Sequence, residues 1–309
     1  MDKNYFKKLR VMDGGMGQEL HAKGLISKGT LWSTSAILNE KYHKLIVDTH
    51  LAYIESGAEV ITTNTFSSRR IRMDQNKVSR YFEYANKKAC ELAIQAKQNS
   101  KKEVFIAGSI PAQFDTYKED TRDDEIIRSA FFDQINCISD YVDFLYLDVI
   151  SSGREIDLAT KIIEKLDKPI LLGIHLTKNG CLPSGETISQ VLKKYKSTNW
   201  IGIIAACVSL EIAENSIDEL QLQNLPFGYK VNLWGQDEPL PQRKINTAKF
   251  NEDAVNLNTV MGKREVSDEV FKDLAIKFIK KGATILGGCC ETNPSHISLL
   301  SSLKKDFVL

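Results

Sequence analysis

The stretch FLYLDVI, residues 144–150, is apolar or aromatic at every position except Asp148. A strand with one face in water alternates apolar and polar residues, whereas a parallel strand covered on both faces is apolar throughout. The run therefore predicts a buried parallel strand, with Asp148 close to its carboxyl end.

Seven further short runs of this kind recur along the chain, separated by segments long enough for a helix. The runs are RVMDGG (10–15), VITTNTF (60–66), VFIAGSI (104–110), ILLGIHL (170–176), IGIIAAC (201–207), FGYKVNL (227–233) and TILGGCC (284–290). The helical segments are 41–56, 77–99, 122–141, 156–167, 186–197, 210–223, 265–281 and 294–305. Alternation of strands and helices predicts an α/β fold, a (β/α)₈ TIM barrel.

We expect residues 1–309 to form a single barrel domain, because no repeat, low-complexity tract or Pro-rich linker divides the chain. A doubly wound sheet is the rival fold, and it usually carries a phosphate-binding loop after its first strand. The glycines of DGGMGQ (13–18) lack the G-x-G-x-x-G spacing of that loop. The longest irregular segment, 234–264, falls between the seventh and eighth predicted strands, where long barrel loops are often functional.

Composition limits the partners of the protein. Lys and Arg total 41 and Asp and Glu total 40, so the net charge of +1 gives no electrostatic footprint for nucleic acid or an anionic membrane. No apolar run approaches the length of a membrane span, and the amino terminus lacks the apolar stretch of a secretory signal. We therefore expect a cytoplasmic protein whose six cysteines are reduced, buried or metal-bound. No oligomeric state is predicted.

Three of the cysteines fall at the carboxyl ends of predicted strands, where the active site of a barrel lies. Cys207 ends the sixth strand, and Cys289 and Cys290 end the eighth. Three converging thiolates form a soft site that suits Zn²⁺, and three protein ligands leave a fourth position open, as a catalytic zinc requires. The alternatives are small buried hydrophobic residues or a strained disulfide between the adjacent pair. We also expect Gly287-Gly288 to ease the bend that brings both thiols to one site.

Three motifs resemble one known family. VMDGGMGQEL (11–20), GAEVITTNTF (57–66) and GGCCETNPSHI (287–297) together resemble the homocysteine S-methyltransferase family, and the resemblance covers nearly the whole chain in order. It implies a (β/α)₈ barrel with a zinc ion held by Cys207, Cys289 and Cys290. It further implies that the metal ionises the thiol of homocysteine, whose sulfur then attacks the methyl group of an activated small-molecule donor to give methionine.

The resemblance also implies substrate contacts. A family Asp after the first strand and a Glu after the fourth hold the amino group of homocysteine; Asp13 matches the first, and Asp148 replaces the second with a shorter carboxylate. Trp32 matches a family Trp near the donor, where cation–π attraction suits a methylated cation. The remaining predicted substrate contacts are Gly14, Thr65 and Asn232.

Departures from the family pattern leave alternatives open. Asp148 and Ala206, which stands where the family has Asn, favour another thiol or a selenol as acceptor. A catalytically inactive zinc-binding barrel is a second alternative, and a metal-independent enzyme using Asp148 and His175 as acid and base is a third. A lone His such as His175 is more often structural than functional. S-methylmethionine, glycine betaine and dimethylsulfonio compounds are the candidate donors.

Overall fold

The computed structural model describes residues 2–236, 238–241, 247–254 and 260–307. Its strands form one parallel sheet in the order β1-β8-β7-β6-β5-β4-β3-β2. The strands are β1 (Arg10–Val11), β2 (Val60–Thr62), β3 (Phe105–Pro111), β4 (Phe144–Ile150), β5 (Ile170–Ile174), β6 (Trp200–Val208), β7 (Phe227–Val231) and β8 (Ile285–Gly288).

The sheet is nearly closed between β1 and β2. A parallel bridge joins Met12 to Val60, and the backbone N–H of Asp13 donates to the Val60 carbonyl at 3.0 Å. The Glu59 N–H likewise donates to the Val11 carbonyl at 2.8 Å. The first and last strands of the sheet are thus joined to each other, as in a barrel, whereas the edge strands of a doubly wound sheet are not. The predicted TIM barrel is therefore confirmed.

Helices follow the strands and cover the outside of the barrel. They are α1 (Met16–Ala22), α2 (Thr34–Ile37), α3 (His43–Glu55), α4 (Arg70–Gln75), α5 (Phe82–Ser100), α6 (Asp124–Ile138), α7 (Gly153–Ile163), α8 (Ile188–Lys194), α9 (Leu210–Gln221), α10 (Asp268–Lys280) and α11 (Pro294–Phe307). Each predicted helical segment overlaps one of them, although α5, α7 and α11 extend beyond the predicted bounds. The short helices α1, α2 and α4 were not predicted, because each has too few turns to show a helical period.

Apolar side chains form two cores on the two sides of the strands. In β4, Phe144 and Tyr146 point into the barrel, whereas Leu145 and Leu147 pack beneath the helices. Continuous apolar runs are thus explained, since both faces of each strand are buried. The inward alternation continues to Asp148, which places its carboxylate at the carboxyl end of the barrel.

Two strands carry a bulge where they reach that end. The register of β4 shifts between Leu147 and Ile150, with Val149 at φ 61°, and the register of β6 shifts between Ala206 and Val208, with Cys207 at φ 53°. Positive φ is uncommon for a residue with a side chain and marked for β-branched Val149. Bulges re-aim side chains beside functional sites. The bulge in β4 contains Asp148, and the bulge in β6 contains Cys207.

The irregular segment 234–264 is described only in part: residues 237, 242–246 and 255–259 lie outside the described ranges. Trp234 forms an antiparallel bridge with Lys263, and Lys28 forms one with Asp253. The first bridge joins the two ends of the segment, and the second ties the segment to the loop between α1 and α2. Within the described ranges, no helix is both long and apolar enough to cross a bilayer.

Candidate active site

The two adjacent cysteines lie in a turn that follows β8. The Thr292 N–H donates to the Cys289 carbonyl at 3.1 Å, and its hydroxyl donates to the same oxygen at 2.6 Å. A Cβ on Gly288 would lie 2.1 Å from the Thr292 hydroxyl oxygen. Neither Gly287 nor Gly288 has a positive φ, so glycine is required here for space rather than for the backbone freedom that we expected from the sequence.

The turn brings both cysteines to Cys207, as the sequence predicts. The Sγ atoms of Cys207, Cys289 and Cys290 all lie within 4.8 Å of one another, and Cys207 Sγ is 3.7 Å from Cys290 Sγ. All three residues carry free thiols, so the predicted alternative of a disulfide between the adjacent pair is not formed. The cluster is a candidate metal centre.

Hydrogen bonding within the cluster makes one sulfur much more acidic than the others. Burial would raise the pKa of Cys207, but hydrogen bonds from Cys289, Cys290 and Tyr117 outweigh it and lower that pKa well below its usual range. The pKa values of Cys289 and Cys290 are raised instead, since each shares its proton with Cys207. Three thiolates this close require a cation to balance their charge, which is the property of a metal-binding set.

Tyr117 extends the cluster on one side. Its hydroxyl oxygen lies 3.2 Å from Cys207 Sγ, and burial followed by the charge of Cys207 raises its pKa well above the usual value. Tyr117 therefore keeps its proton and donates a hydrogen bond to the Cys207 sulfur. The Asn232 side-chain amide donates to the Cys207 carbonyl at 2.8 Å and lies 3.9 Å from Cys207 Sγ.

A pocket opens beside the cysteines at the carboxyl end of the barrel. Both aromatic and polar side chains line it. The predicted site residues that line the pocket are Asp13, Gly14, Trp32, Asp148 and the three cysteines. Four aromatic residues, which we call the aromatic wall, also line it: Trp32, Phe66, Tyr117 and Trp234.

Trp32 is held in the aromatic wall by neighbouring backbone and rings. Its own φ is 49°, and its ring packs against His21 with centroids 4.4 Å apart. A Cβ on Gly17 would lie 2.0 Å from Trp32 Nε1. Gly17 is thus the residue that leaves room for the indole at the pocket.

Asp13 lies at the pocket floor, but its carboxylate already has donors within the protein. Lys230 Nζ lies 2.6 Å from Asp13 Oδ1 and 3.1 Å from the Asp13 carbonyl oxygen. The Thr62 hydroxyl donates to Oδ1 at 2.9 Å and the Thr62 N–H to Oδ2 at 2.6 Å. Burial would lower the pKa of Lys230, but the charge and hydrogen bond of Asp13 raise it, so the pair is ionic.

Asp148 has a different environment. The Ser109 hydroxyl donates to its Oδ2 at 2.7 Å, and the carboxyl group is nearly buried. Burial raises its pKa to about 6, although the Ser109 hydrogen bond and the charge of Lys230 act in the other direction. Asp148 is therefore ionised at neutral pH and titrates just below it.

Three other candidate residues are buried behind the pocket. The Thr65 hydroxyl donates to the Ser109 carbonyl at 2.7 Å. His175 Nδ1 lies 3.3 Å from the Ala206 carbonyl, and its ring packs on Tyr117 at 4.7 Å. Neither these two nor Asn232 is among the described residues that line the pocket. Thr65 thus contacts the Ser109 carbonyl, His175 the Tyr117 ring and Asn232 the Cys207 carbonyl.

Sequence reasoning missed Lys230, Tyr117 and Trp234. Lys230 carried a signal, since it is a charged residue inside the otherwise buried run FGYKV and an unpaired charge is rarely placed there. Tyr117 and Trp234 lie in loops without a recognisable motif, so their positions follow only from the folded structure.

Comparison with known proteins identifies the family of the chain. The family model described as Homocysteine S-methyltransferase matches residues 10–303. Homocysteine S-methyltransferase 2 of Saccharomyces cerevisiae is 23% identical over 97% of this chain and 95% of its own length. The S-methylmethionine–homocysteine S-methyltransferase BHMT2 of Rattus norvegicus is 26% identical over 55% of this chain and 44% of its own.

A solved structure shares the fold. The metallated form of the homocysteine methyltransferase MmuM from Escherichia coli superposes with a TM-score of 0.77 at 19% identity, covering 96% of both chains. The resemblance expected from the three sequence motifs is confirmed by the family match across nearly the whole length. The chain belongs to the homocysteine S-methyltransferase family and is a methyltransferase.

Proposed function

We propose that the protein is a zinc-dependent enzyme that transfers a methyl group from a cationic small-molecule donor to the sulfur of homocysteine, giving methionine. The observation that carries the proposal is the cluster of three cysteine sulfurs in the wall of a pocket that also has an aromatic side. Family membership supports the reaction, and the site supports the metal and the class of donor.

The donor set fits zinc. Two sulfur ligands about 2.3 Å from a tetrahedral zinc ion are about 3.8 Å apart, and Cys207 Sγ and Cys290 Sγ are 3.7 Å apart. Cys207, Cys289 and Cys290 would hold the ion and leave one position for a ligand. Zinc bound there supplies a Lewis-acidic site at which a thiol ionises at neutral pH.

Neighbouring residues prepare the cysteines for this role. Tyr117 donates a hydrogen bond to Cys207 Sγ, and Asn232 holds the Cys207 carbonyl. Such partners fix the direction of a ligand and limit the charge that it carries. The proposed contribution of Asn232 is therefore to position Cys207, and that of Thr65 is to position Ser109 through its carbonyl.

The aromatic wall supports a cationic methyl donor. Trp32, Phe66, Tyr117 and Trp234 line the pocket, and a sulfonium or quaternary ammonium group is attracted to the face of an aromatic ring. The rat relative is named for S-methylmethionine, which is a sulfonium. We propose a sulfonium or quaternary ammonium donor, with S-methylmethionine as the first to test.

Polar residues of the floor support binding of the amino-acid part of the acceptor. Asp148 is the carboxylate that we propose for the ammonium group, because its partner, Ser109, is neutral. Asp13 was also predicted to bind the ammonium group. Because Asp13 is already paired with Lys230, we propose that it contributes less to that contact than Asp148 does. Gly14 forms part of the same floor.

A donor screen tests the proposal. Protein purified without chelator is analysed for zinc and incubated with homocysteine and S-methylmethionine, glycine betaine or a dimethylsulfonio compound, with methionine as the readout. We expect about one zinc ion per chain and methionine from one sulfonium or ammonium donor. Zinc without methionine from any donor would favour another thiol acceptor or the inactive barrel, and an active protein without zinc would favour the metal-independent alternative. The single domain over residues 1–309 and the cytoplasmic location stay predictions.

A further inference from the structure

Lys230 is a cation on the floor of a pocket that otherwise gathers acidic groups. It is the one Lys, Arg or His residue among the described residues that line the pocket, and Asp13, Asp148 and the three cysteines line it too. The lysine side chain is 6% exposed. A charged group is buried to this degree only when it is paired, and here the partner is Asp13.

The pair changes what the floor can bind. Lys230 Nζ and the ammonium group of an acceptor would compete for Asp13, whose Oδ1 and Oδ2 already accept hydrogen bonds from Lys230 and Thr62. Two ammonium groups on one carboxylate repel each other strongly at a site with little water. Asp13 is therefore a poor site for a second cation while Lys230 is present.

Lys230 retains capacity for an anion. Its Nζ makes two contacts of hydrogen-bonding length with Asp13, at 2.6 and 3.1 Å, and the third contact, to Thr62 Oγ1, is 3.5 Å long. A contact of that length is at the limit of hydrogen bonding, so one N–H of the ammonium group can turn to a ligand oxygen. A carboxylate entering a pocket with this many acidic groups needs such a donor.

The strands provide the space for this side chain. Lys230 pairs with Gly287 in the register of β7 and β8. A Cβ on Gly287 would lie 3.0 Å from Lys230 Cγ and 3.0 Å from Met12 Cβ. The lysine thus passes over a glycine on its way to the pocket floor, and its position follows from the packing of two neighbouring strands.

We infer that Lys230 determines acceptor specificity: it binds the carboxylate of the acceptor thiol and, by neutralising Asp13, makes the acceptor's ammonium group the weaker of its two anchors. This rests on the proposed function, in which a thiol occupies the site beside the cysteines. The acceptor class is a thiol that carries a carboxylate about three carbons from sulfur, with or without an amino group. Homocysteine belongs to that class.

Equilibrium binding tests the inference without knowledge of the donor. Calorimetry on the zinc-loaded protein compares homocysteine with γ-mercaptobutyrate, which lacks the amino group, and γ-mercaptopropylamine, which lacks the carboxylate. We expect γ-mercaptobutyrate to bind about tenfold more tightly than the amine, the size of one charge-assisted hydrogen bond. Tighter binding of the amine would overturn the inference.

Lys230→Met should reverse that order, because Asp13 is then free to pair with an ammonium group. Lys168→Met is the matched control, since this part-buried lysine binds the Val142 carbonyl before β4 and lies away from the pocket. An unchanged order in a folded Lys230→Met protein would assign the lysine a purely structural role and overturn the inference.

A second variant serves if Lys230→Met does not fold. Asp13→Asn combined with Lys230→Met removes both charges of the pair, and we expect it to lose the preference for the acid without gaining one for the amine. Retention of the preference for the acid would overturn the inference. If homocysteine and both analogues fail to bind the zinc-loaded wild type, the proposed function fails as well, whereas thiol binding in the reverse order overturns the inference alone.

Discussion

Cys207 Sγ lies 3.7 Å from Cys290 Sγ, although the two residues are 83 positions apart in the sequence. Their strands, β6 and β8, are separated by β7 in the sheet. A bulge at Cys207 and a turn after Gly288 bring the two sulfurs together. Folding thus creates a cluster of three sulfurs that could hold one metal ion.

Substitution of the cluster should remove the metal. We expect Cys207→Ala, Cys289→Ala and Cys290→Ala each to lose bound zinc, because only two of the three protein ligands then remain. Elemental analysis of the purified variants measures this. Cys181→Ala is the control, since its sulfur donates to the Asn179 carbonyl at 3.8 Å and is not part of the cluster. Full zinc occupancy in one of the three variants would remove that cysteine from the set.

Tyr117→Phe keeps the ring and removes the hydroxyl that contacts Cys207 Sγ. Loss of a hydrogen bond to a metal ligand typically weakens metal affinity by about 10- to 100-fold. We expect a fall in this range in competition with a chromogenic chelator. Exposed Tyr84→Phe should leave the affinity unchanged. Equal affinity of Tyr117→Phe and wild type would show that the hydroxyl does not support the ligand.

Trp32 should contribute to donor binding through its ring face. We expect Trp32→Leu to raise the KM of the donor about tenfold, and Trp32→Phe to raise it less, because cation–π attraction to a buried cation contributes about 1–2 kcal/mol and is strongest for Trp. Steady-state kinetics at saturating homocysteine provide the measurement. Equal effects of Leu and Phe would indicate packing rather than attraction to the cation.

Gly17→Ala tests the placement of the Trp32 indole at the donor site independently. The added methyl group would lie 2.0 Å from Trp32 Nε1, so the indole must move. We expect the donor KM to rise as in Trp32→Leu while zinc content stays unchanged. A normal donor KM in this variant would place the indole outside the donor site.

Asp148 should give homocysteine binding a pH dependence. Its pKa of about 6 means that the carboxylate is ionised above that pH and protonated below it. We expect Asp148→Asn to weaken homocysteine binding about tenfold at pH 8, the loss of one charge-assisted hydrogen bond. The difference from wild type should shrink below about pH 6. Calorimetric titrations at both pH values measure it, and a difference that is independent of pH would exclude Asp148 as the ammonium partner.

Glu155 should make stability fall as pH rises. It is buried in α7, accepts a hydrogen bond from the Ser152 hydroxyl at 2.7 Å, and its Oε1 has no partner among the described residues. Burial, followed by the charge of Asp120, raises its pKa from 4.5 to about 8, despite the Ser152 hydrogen bond. Between those values the folded state holds a proton that the unfolded state releases. Stability is therefore lost through this window, by up to about 1.4 kcal/mol per pH unit.

Urea unfolding between pH 5 and pH 8 tests this expectation. Glu155→Gln should flatten the decline and be more stable than wild type at pH 8, because no charge is then forced into the buried site. Exposed Glu265→Gln should keep the wild-type slope. A wild-type slope in Glu155→Gln would show that another group causes the decline.

The sequence by itself determined the barrel and the three cysteines of the candidate metal centre. Apolar runs such as 144–150 are local patterns, and a strand buried on both faces produces them wherever it lies in the chain. Because all strands of a barrel run the same way, residues that follow them meet at one end. Cys207, Cys289 and Cys290 could therefore be selected from six cysteines before any distance was known.

Only the tertiary structure decided how the charges of the site are paired. Asp13 and Lys230 are 217 positions apart, and nothing local to either residue indicates that the lysine reaches the carboxylate that we expected to bind the substrate. Their contact depends on the register of β7 against β8 and on the space above Gly287. Sequence patterns record which face of a strand is buried, whereas the pairing of two buried charges depends on distances that exist only after the strands have packed.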